Sequence, residues 1–230
     1  MSFRCAGTAV LAAAVAPLAL GGCYRSAVSL APDADLVEVA ELESGRYCAA
    51  DLDWSGAVAV DFDDCRSLAF DAASRVYVET RAWEDANWSL THRVVRLGDG
   101  VYLTEVAEPD PEEMAFSLVP FVVGEDGFAA IGDVLGDGFG AFAHAYADVV
   151  TSAPGPLGAG DIHRGDVQRA RTLIELAARD DATAWAAGEG DQHAVIVYVR
   201  LGEGEDEAAA RVRYETTAAL LRARFVRLRR

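Results

Sequence analysis

Lysine is absent from this chain: all 20 basic side chains are arginine, set against 37 carboxylates, for a formal charge of −17. Nucleic-acid binding needs basic surface to displace counterions, so a body this acidic excludes it as the expected role. With so much Ala, Gly, Val and Asp, the missing lysine reads as codon bias in a GC-rich genome. Chemistry-bearing motifs are also scarce. There is no CxxC pair, no P-loop, no dinucleotide fingerprint and no G-x-S-x-G elbow. The four histidines, His92, His144, His163 and His193, include no pair at helical metal-ligand spacing and none beside a thiol. Asp161 and His163 are close in sequence, but a base and its orienting carboxylate are recognised by geometry. No apolar run beyond the N-terminus reaches 18 residues, so no second membrane span is expected. An apolar content of 52% excludes a disordered chain.

What is present begins at the N-terminus. Residues 1–22 form a unit with Arg4 as the only charge and an Ala/Val/Leu run from Ala6 to Leu20. That run has the length of a secretory h-region and is too short to span a bilayer comfortably. Then comes Leu20-Gly21-Gly22-Cys23, and here the chain resembles bacterial lipoproteins, whose lipobox is a Leu-like residue, two small residues and a cysteine. The resemblance covers residues 1–24. It implies cleavage before Cys23 and lipid, palmitate included, on that cysteine. Each buried methylene adds about 0.8 kcal/mol of membrane affinity, so two or three chains hold firmly where one would not. Tyr24 stands where an Asp would imply inner-membrane retention, so the resemblance implies outer-membrane sorting, facing the periplasm.

That address gives the remaining cysteines a meaning. Cys5 leaves with the signal and Cys23 takes lipid. Cys48 and Cys65 remain as an even pair in an oxidising compartment, and a disulfide between them is expected.

Residues 23–40, with Ser, Ala, Pro32 and Asp, read as a tether that holds one globular domain, 41–230, off the lipid surface; folded structure starts between Leu36 and residue 41. Its first part, 41–132, is strand and turn. Arg46–Ala49, Ala57–Phe62, Ser67–Phe70, Arg75–Thr80, Ser89–Val95, Val101–Val106, Ala115–Val123 and Phe128–Ile131 are strand candidates. Gly98-Asp99-Gly100 and Asp126-Gly127 mark hairpins, and Pro120 marks an edge or bulge. The second part, 133–230, is mixed. Ala141–Val150 is a helix candidate, Pro154-Gly155-Pro156 a loop, Asp166–Arg179 the clearest helix and His193–Leu201 a buried strand; 208–230 suits either strand or helix. The fold class expected is α+β: an antiparallel meander or curved, barrel-like sheet, followed by at least one helix and one buried strand.

Candidate sites are few. Asp51-Leu52-Asp53-Trp54-Ser55-Gly56 copies the first half of an EF-hand loop, but Phe62 stands at the twelfth position where a bidentate Glu is needed, so no metal is expected; Asp133–Gly138 is weaker still. Trp54, Trp83 and Trp88 would line a ligand cavity if the strands close into a barrel. The C-terminal Arg222, Arg224, Arg227, Arg229 and Arg230 either touch anionic lipid or an acidic partner, or pair with the protein's own acidic surface. No catalytic residue and no cofactor is expected. The leading functional expectation is a non-enzymatic envelope lipoprotein that binds or scaffolds in the periplasm. Its rivals are a lipocalin-like carrier of an apolar ligand and a periplasmic hydrolase.

Overall fold

The computed structural model describes residues 24–26, 28–52, 58–83, 86–107, 116–131, 150–155, 158–163, 166–188 and 195–228. The strands are β1 (Tyr24–Ser26), β2 (Gly45–Leu52), β3 (Val58–Asp71), β4 (Val76–Trp83), β5 (Ala86–Gly98), β6 (Val101–Ala107), β7 (Phe116–Gly124), β8 (Gly127–Ile131), β9 (Val150–Gly155), β10 (Gly158–His163) and β11 (Val195–Leu201). The helices are α1 (Val167–Ala187) and α2 (Glu207–Leu228).

Eight strands close an antiparallel barrel in the order β2-β3-β4-β5-β6-β7-β8-β11, with β11 seated between β8 and β2. The expected α+β class and barrel-like sheet are thus present, and the sheet is closed. Local chemistry explains each turn. Asp99-Gly100 joins β5 to β6 with Gly100 at φ 72°, the left-handed conformation that glycine takes without strain. Glu125-Asp126 joins β7 to β8. In the β3–β4 turn the Asp71 carboxylate accepts from the Ala73 amide at 3.0 Å and from the Ser74 hydroxyl, an Asx turn.

Two strand and loop readings change, and the one left open for 208–230 resolves to helix. Ala57–Phe62 and Ser67–Phe70 are parts of one long strand, β3, whose register against β2 jumps between Cys48 and Ala49; the acidic run from Asp61 to Asp64 falls in that irregular stretch. A bulge carries the strand across residues that read as a loop. Pro154-Gly155 belongs to β9, which pairs with β10, so the expected loop is a hairpin. Residues 207–228 are helix throughout: Asp206 accepts from the Ala209 amide at 2.9 Å, and Ala210, Tyr214, Ala218, Leu221 and Phe225 recur at helical spacing and are buried. Pro120 lies where the neighbour of β7 changes from β1 to β8, the break in pairing that a missing N–H tolerates. Ala141–Val149 and Asp133–Gly138 lie outside the described residues.

Alternation along the strands makes two cores. Tyr47, Ala49, Leu68, Tyr77, Val94, Tyr102, Val119, Phe121, Phe128, Ala130 and Tyr198 fill the barrel. The opposite phase, including Cys48, Val95, Leu103, Val122, Ala129, Val197 and Val199, packs outward against the helices. On α1, Ala170, Ile174, Ala177, Ala178 and Ala182 present a flat face to it, and Trp185 meets Phe225 of α2 edge-on at 6.0 Å. Asp166 caps α1, and Gly188 ends it in the left-handed conformation.

The stretch expected as a tether is folded into this body. Tyr24–Ser26 pairs with β7 and, in parallel, with β10. Leu30 and Ala31 are wholly buried. The buried Glu105 carboxylate accepts from the Ser29 hydroxyl at 2.6 Å and the Leu30 amide at 2.5 Å. Arg171 donates to the Leu30 carbonyl at 2.7 Å and to Asp35 at 2.8 Å; Arg93 donates to the Ala31 carbonyl and to Asp33. Leu36 bridges to Val95, and the Val39 amide donates to the Tyr77 hydroxyl at 2.8 Å as Val39 and Leu42 join the interior core. A polar composition reads as linker, yet here its polar groups are what stitch it down.

Two predictions follow from packing. A Cβ on Gly127 would fall on the Tyr198 carbonyl, so Gly127→Ala breaks the β8–β11 ladder and costs several times the roughly 1 kcal/mol of Gly188→Ala, whose Cβ would meet nothing within 4 Å. Urea denaturation of the two variants measures the difference. The Cys48–Cys65 disulfide, with 17 residues of separation, contributes about 3 kcal/mol, read as the shift in urea midpoint for the double Ser variant.

Candidate functional site

The barrel interior holds a polar cluster drawn from five strands. Arg66 comes from β3, Glu79 and Arg81 from β4, His92 from β5, Thr104 from β6 and Tyr198 from β11. Each sits in phase with apolar neighbours that also point inward: Leu68 and Phe70 after Arg66, Tyr77 before Glu79, Val94 after His92, Tyr102 before Thr104. Strand alternation therefore forces these charges into the core once the barrel closes.

Glu79 is the centre. Its Oε2 lies 2.8 Å from His92 Nε2 and 3.5 Å from Arg66 Nη1, and its Oε1 accepts from Arg81 Nε at 3.0 Å. His92 Nδ1 is 3.0 Å from the Thr104 hydroxyl. Arg66 donates to the Tyr198 hydroxyl at 3.0 Å, its guanidinium 4.5 Å from the centre of that ring. Burial pushes the Glu79 carboxyl upward. The hydrogen bond from His92 and the charges of Arg66, His92 and Arg81 outweigh it, and bring Glu79 from 4.5 down to about 2. Two phenols move the other way: burial raises Tyr47 and Tyr77 to about 12, against the opposing Arg200 charge at Tyr47 and the Val39 hydrogen bond at Tyr77.

Aromatic rings fill the space beside this cluster. Phe128 stacks on Tyr198 at 4.7 Å and meets Tyr47 at 5.4 Å and Phe121 at 6.0 Å; Tyr102 stacks on Phe121 at 5.6 Å. A cavity of about 40 Å³ is left among Arg66, Tyr77, Glu79, His92, Thr104 and Phe121. It has room for a few waters. Thr104, His92 and Glu79 make a hydroxyl–imidazole–carboxylate chain, the arrangement used to activate a nucleophile. Such chemistry needs a substrate carbon about 3 Å from the hydroxyl, and the cavity beside Thr104 measures about 40 Å³.

The expected site residues are distributed elsewhere. Cys48 and Cys65 are joined across β2 and β3, as expected, with Cys48 buried among residues that face the helices. Cys23 and Trp54 lie outside the described residues; Trp83 and Trp88 are described only as backbone, Trp88 opposite Arg81 in the β4–β5 ladder. Their relation to the cavity lies outside the described residues. His144 and His193 lie outside the described residues too, and His163 is placed on β10. Asp51-Leu52 ends β2, and the rest of that EF-like stretch lies outside the described residues. Among the described residues no group of His, Cys, Asp and Glu is arranged to hold a metal ion, and no helix is long and apolar enough to cross a membrane. Of the C-terminal arginines, Arg222 stacks 4.6 Å over Trp185, and Arg224 donates to the Val123 carbonyl and lies 3.8 Å from Glu41. Both serve the protein's own fold.

Sequence reading missed Glu79, His92 and Arg66. The signal was there: a charged residue in the apolar phase of an alternating strand, repeated on three neighbouring strands. No family model, curated protein or solved structure matches this chain.

The Glu79 arrangement sets an acid dependence. With its folded pKa depressed, the stability it contributes is complete above the ordinary carboxylate range and is lost as pH falls from about 4.5 towards 2. That loss is about 3 kcal/mol. Glu79→Gln is expected to cost about 3–5 kcal/mol at pH 7, since the cations lose their carboxylate, and to flatten the decline between pH 5 and pH 2. Urea midpoints measured across that range check both.

Proposed function

We propose that the chain is a lipid-anchored envelope lipoprotein with a non-enzymatic binding or scaffolding role. It is held through lipid on Cys23, at the outer membrane facing the periplasm, and works through its outer surface. The observation that carries the non-enzymatic, surface-working part of this reading is the crowded interior. Among the described residues the barrel interior is crowded by aromatic rings and an ion cluster, and the cavity between them measures about 40 Å³. The lipobox-like Leu20-Gly21-Gly22-Cys23 supports the address, and the Cys48–Cys65 bond is in keeping with an oxidising compartment.

A closed eight-stranded antiparallel barrel is also the architecture of small-ligand carriers, and this favours a lipocalin-like carrier as the second reading. Such pockets run to several hundred Å³, which weighs against it. For a hydrolase, the Thr104-His92-Glu79 chain is the relevant observation. Its enclosure in the core gives it a structural role in this account: it satisfies buried polar groups and fixes strand register.

Cys23→Ser expressed in a bacterial host that lipidates exported proteins is expected to lose incorporation of labelled palmitate and to leave the membrane fraction. Retention of both would refute the anchor.

A further inference from the structure

We propose that the lipid anchor has no tether, so that the barrel wall around β1 lies against the bilayer and the opposite rim faces away. This rests on the lipoprotein reading above, and deepens it by naming the membrane as the partner of one defined wall.

The argument starts from where the free chain ends. Tyr24, the residue after Cys23, is already in the sheet: it pairs with Asp161 of β10, while Arg25 pairs with Ser117 and Ser26 with Phe116 of β7. Ser26 is wholly buried. The following residues are fastened at Glu105, Arg93 and Arg171, as described above, so the segment has no slack to give up. A thioether on Cys23 is then one residue, roughly 3.8 Å of backbone, from a hydrogen-bonded strand.

The register says which part of the barrel this is. β1 pairs with residues 116–117 of β7, and β8 pairs with residues 121–124 of the same strand, on the same side. The anchor therefore arrives on the wall beside the last residues of β8. The rim with the Asp71–Arg75, Asp99-Gly100 and Glu125-Asp126 turns lies at the other end of β7, about 20 Å away at roughly 3.4 Å per residue. Ala107 of β6 is exposed and pairs with Phe116, which pairs with Ser26, so it lies two strands from the anchor though 84 positions away in sequence. Ala73, also exposed, is in the turn on the far rim.

The test is photo-crosslinking of the full lipoprotein in phosphatidylethanolamine/phosphatidylglycerol vesicles with headgroup-labelled lipid. A photoreactive amino acid is placed at Ala107 or at Ala73, and acylation of Cys23 is verified first by palmitate label. Ala107 is expected to capture lipid about fivefold more than Ala73. Inserting about 20 Gly/Ser residues between Cys23 and Tyr24, roughly 25 Å of random coil, is expected to abolish that difference while the protein stays membrane-bound. Equal capture at both sites in the acylated, uninserted protein would overturn the wall-on-membrane arrangement and leave the anchor intact. Absence of acyl label would overturn the anchor, and this inference with it.

Discussion

Closure of β6 onto β7 is the constraint on which the rest depends. An antiparallel barrel of eight strands has an interior wide enough for side chains to fill or for one small ligand. Once the ladder from Val101–Val122 to Ala107–Phe116 closes it, every inward residue must find a partner inside. The rings of Tyr47, Tyr102, Phe121, Phe128 and Tyr198 do so by packing on one another. Glu79, Arg66, Arg81 and His92 do so by pairing, because a lone carboxylate in that space would be far more costly than a paired one. The same closure gives the wall an outer face, also apolar, that must be covered. The helices α1 and α2 and the N-terminal segment cover it.

The N-terminal segment links this architecture to the proposed role. It leaves β1, runs under Arg93 and Arg171 along the outer wall, and ends by inserting Val39 and Leu42 into the interior core beside Tyr77. Each end of that path is anchored by a buried polar group, Glu105 at one and the Tyr77 hydroxyl at the other. Under the lipoprotein reading, force on the lipid is transmitted straight into the sheet. The outer surface and the rim away from β1 are then what the protein offers to the periplasm.

Much of the fold was legible because local chemistry and global need agree. Asp99-Gly100 and Asp126-Gly127 mark hairpins that exist, Asp166 caps the helix it precedes, and the Val195–Leu201 run is a largely buried strand paired on both edges, with β2 and β8. Elements went unread where a tertiary demand overrides composition. The acidic residues 61–64 sit in an irregular stretch of a long strand. Pro154 and Gly155 lie in a hairpin strand. Ser29, Asp33 and Asp35 look like linker, yet they are held by arginines and a glutamate that arrive from at least 60 positions away. The Glu79 cluster was legible only as a pattern, charges in the apolar phase of three neighbouring strands, and not as a pairing. With 37 carboxylates in the chain, that pattern does not say which are buried: closure of the barrel buries Glu79, and the N-terminal segment covers Glu105. The Cys48–Cys65 pair could be paired by elimination once Cys5 and Cys23 were assigned to export.

The central claim of the proposed role is that the barrel interior holds no ligand and that the protein works from its surface. Titrating purified Cys23→Ser protein with the apolar fluorophore N-phenyl-1-naphthylamine tests it most directly. The account predicts no saturable one-to-one binding at pH 7, where the fold is intact. Saturable binding in that stoichiometry, displaced by a fatty acid, would mean a cavity far larger than about 40 Å³ and would contradict it.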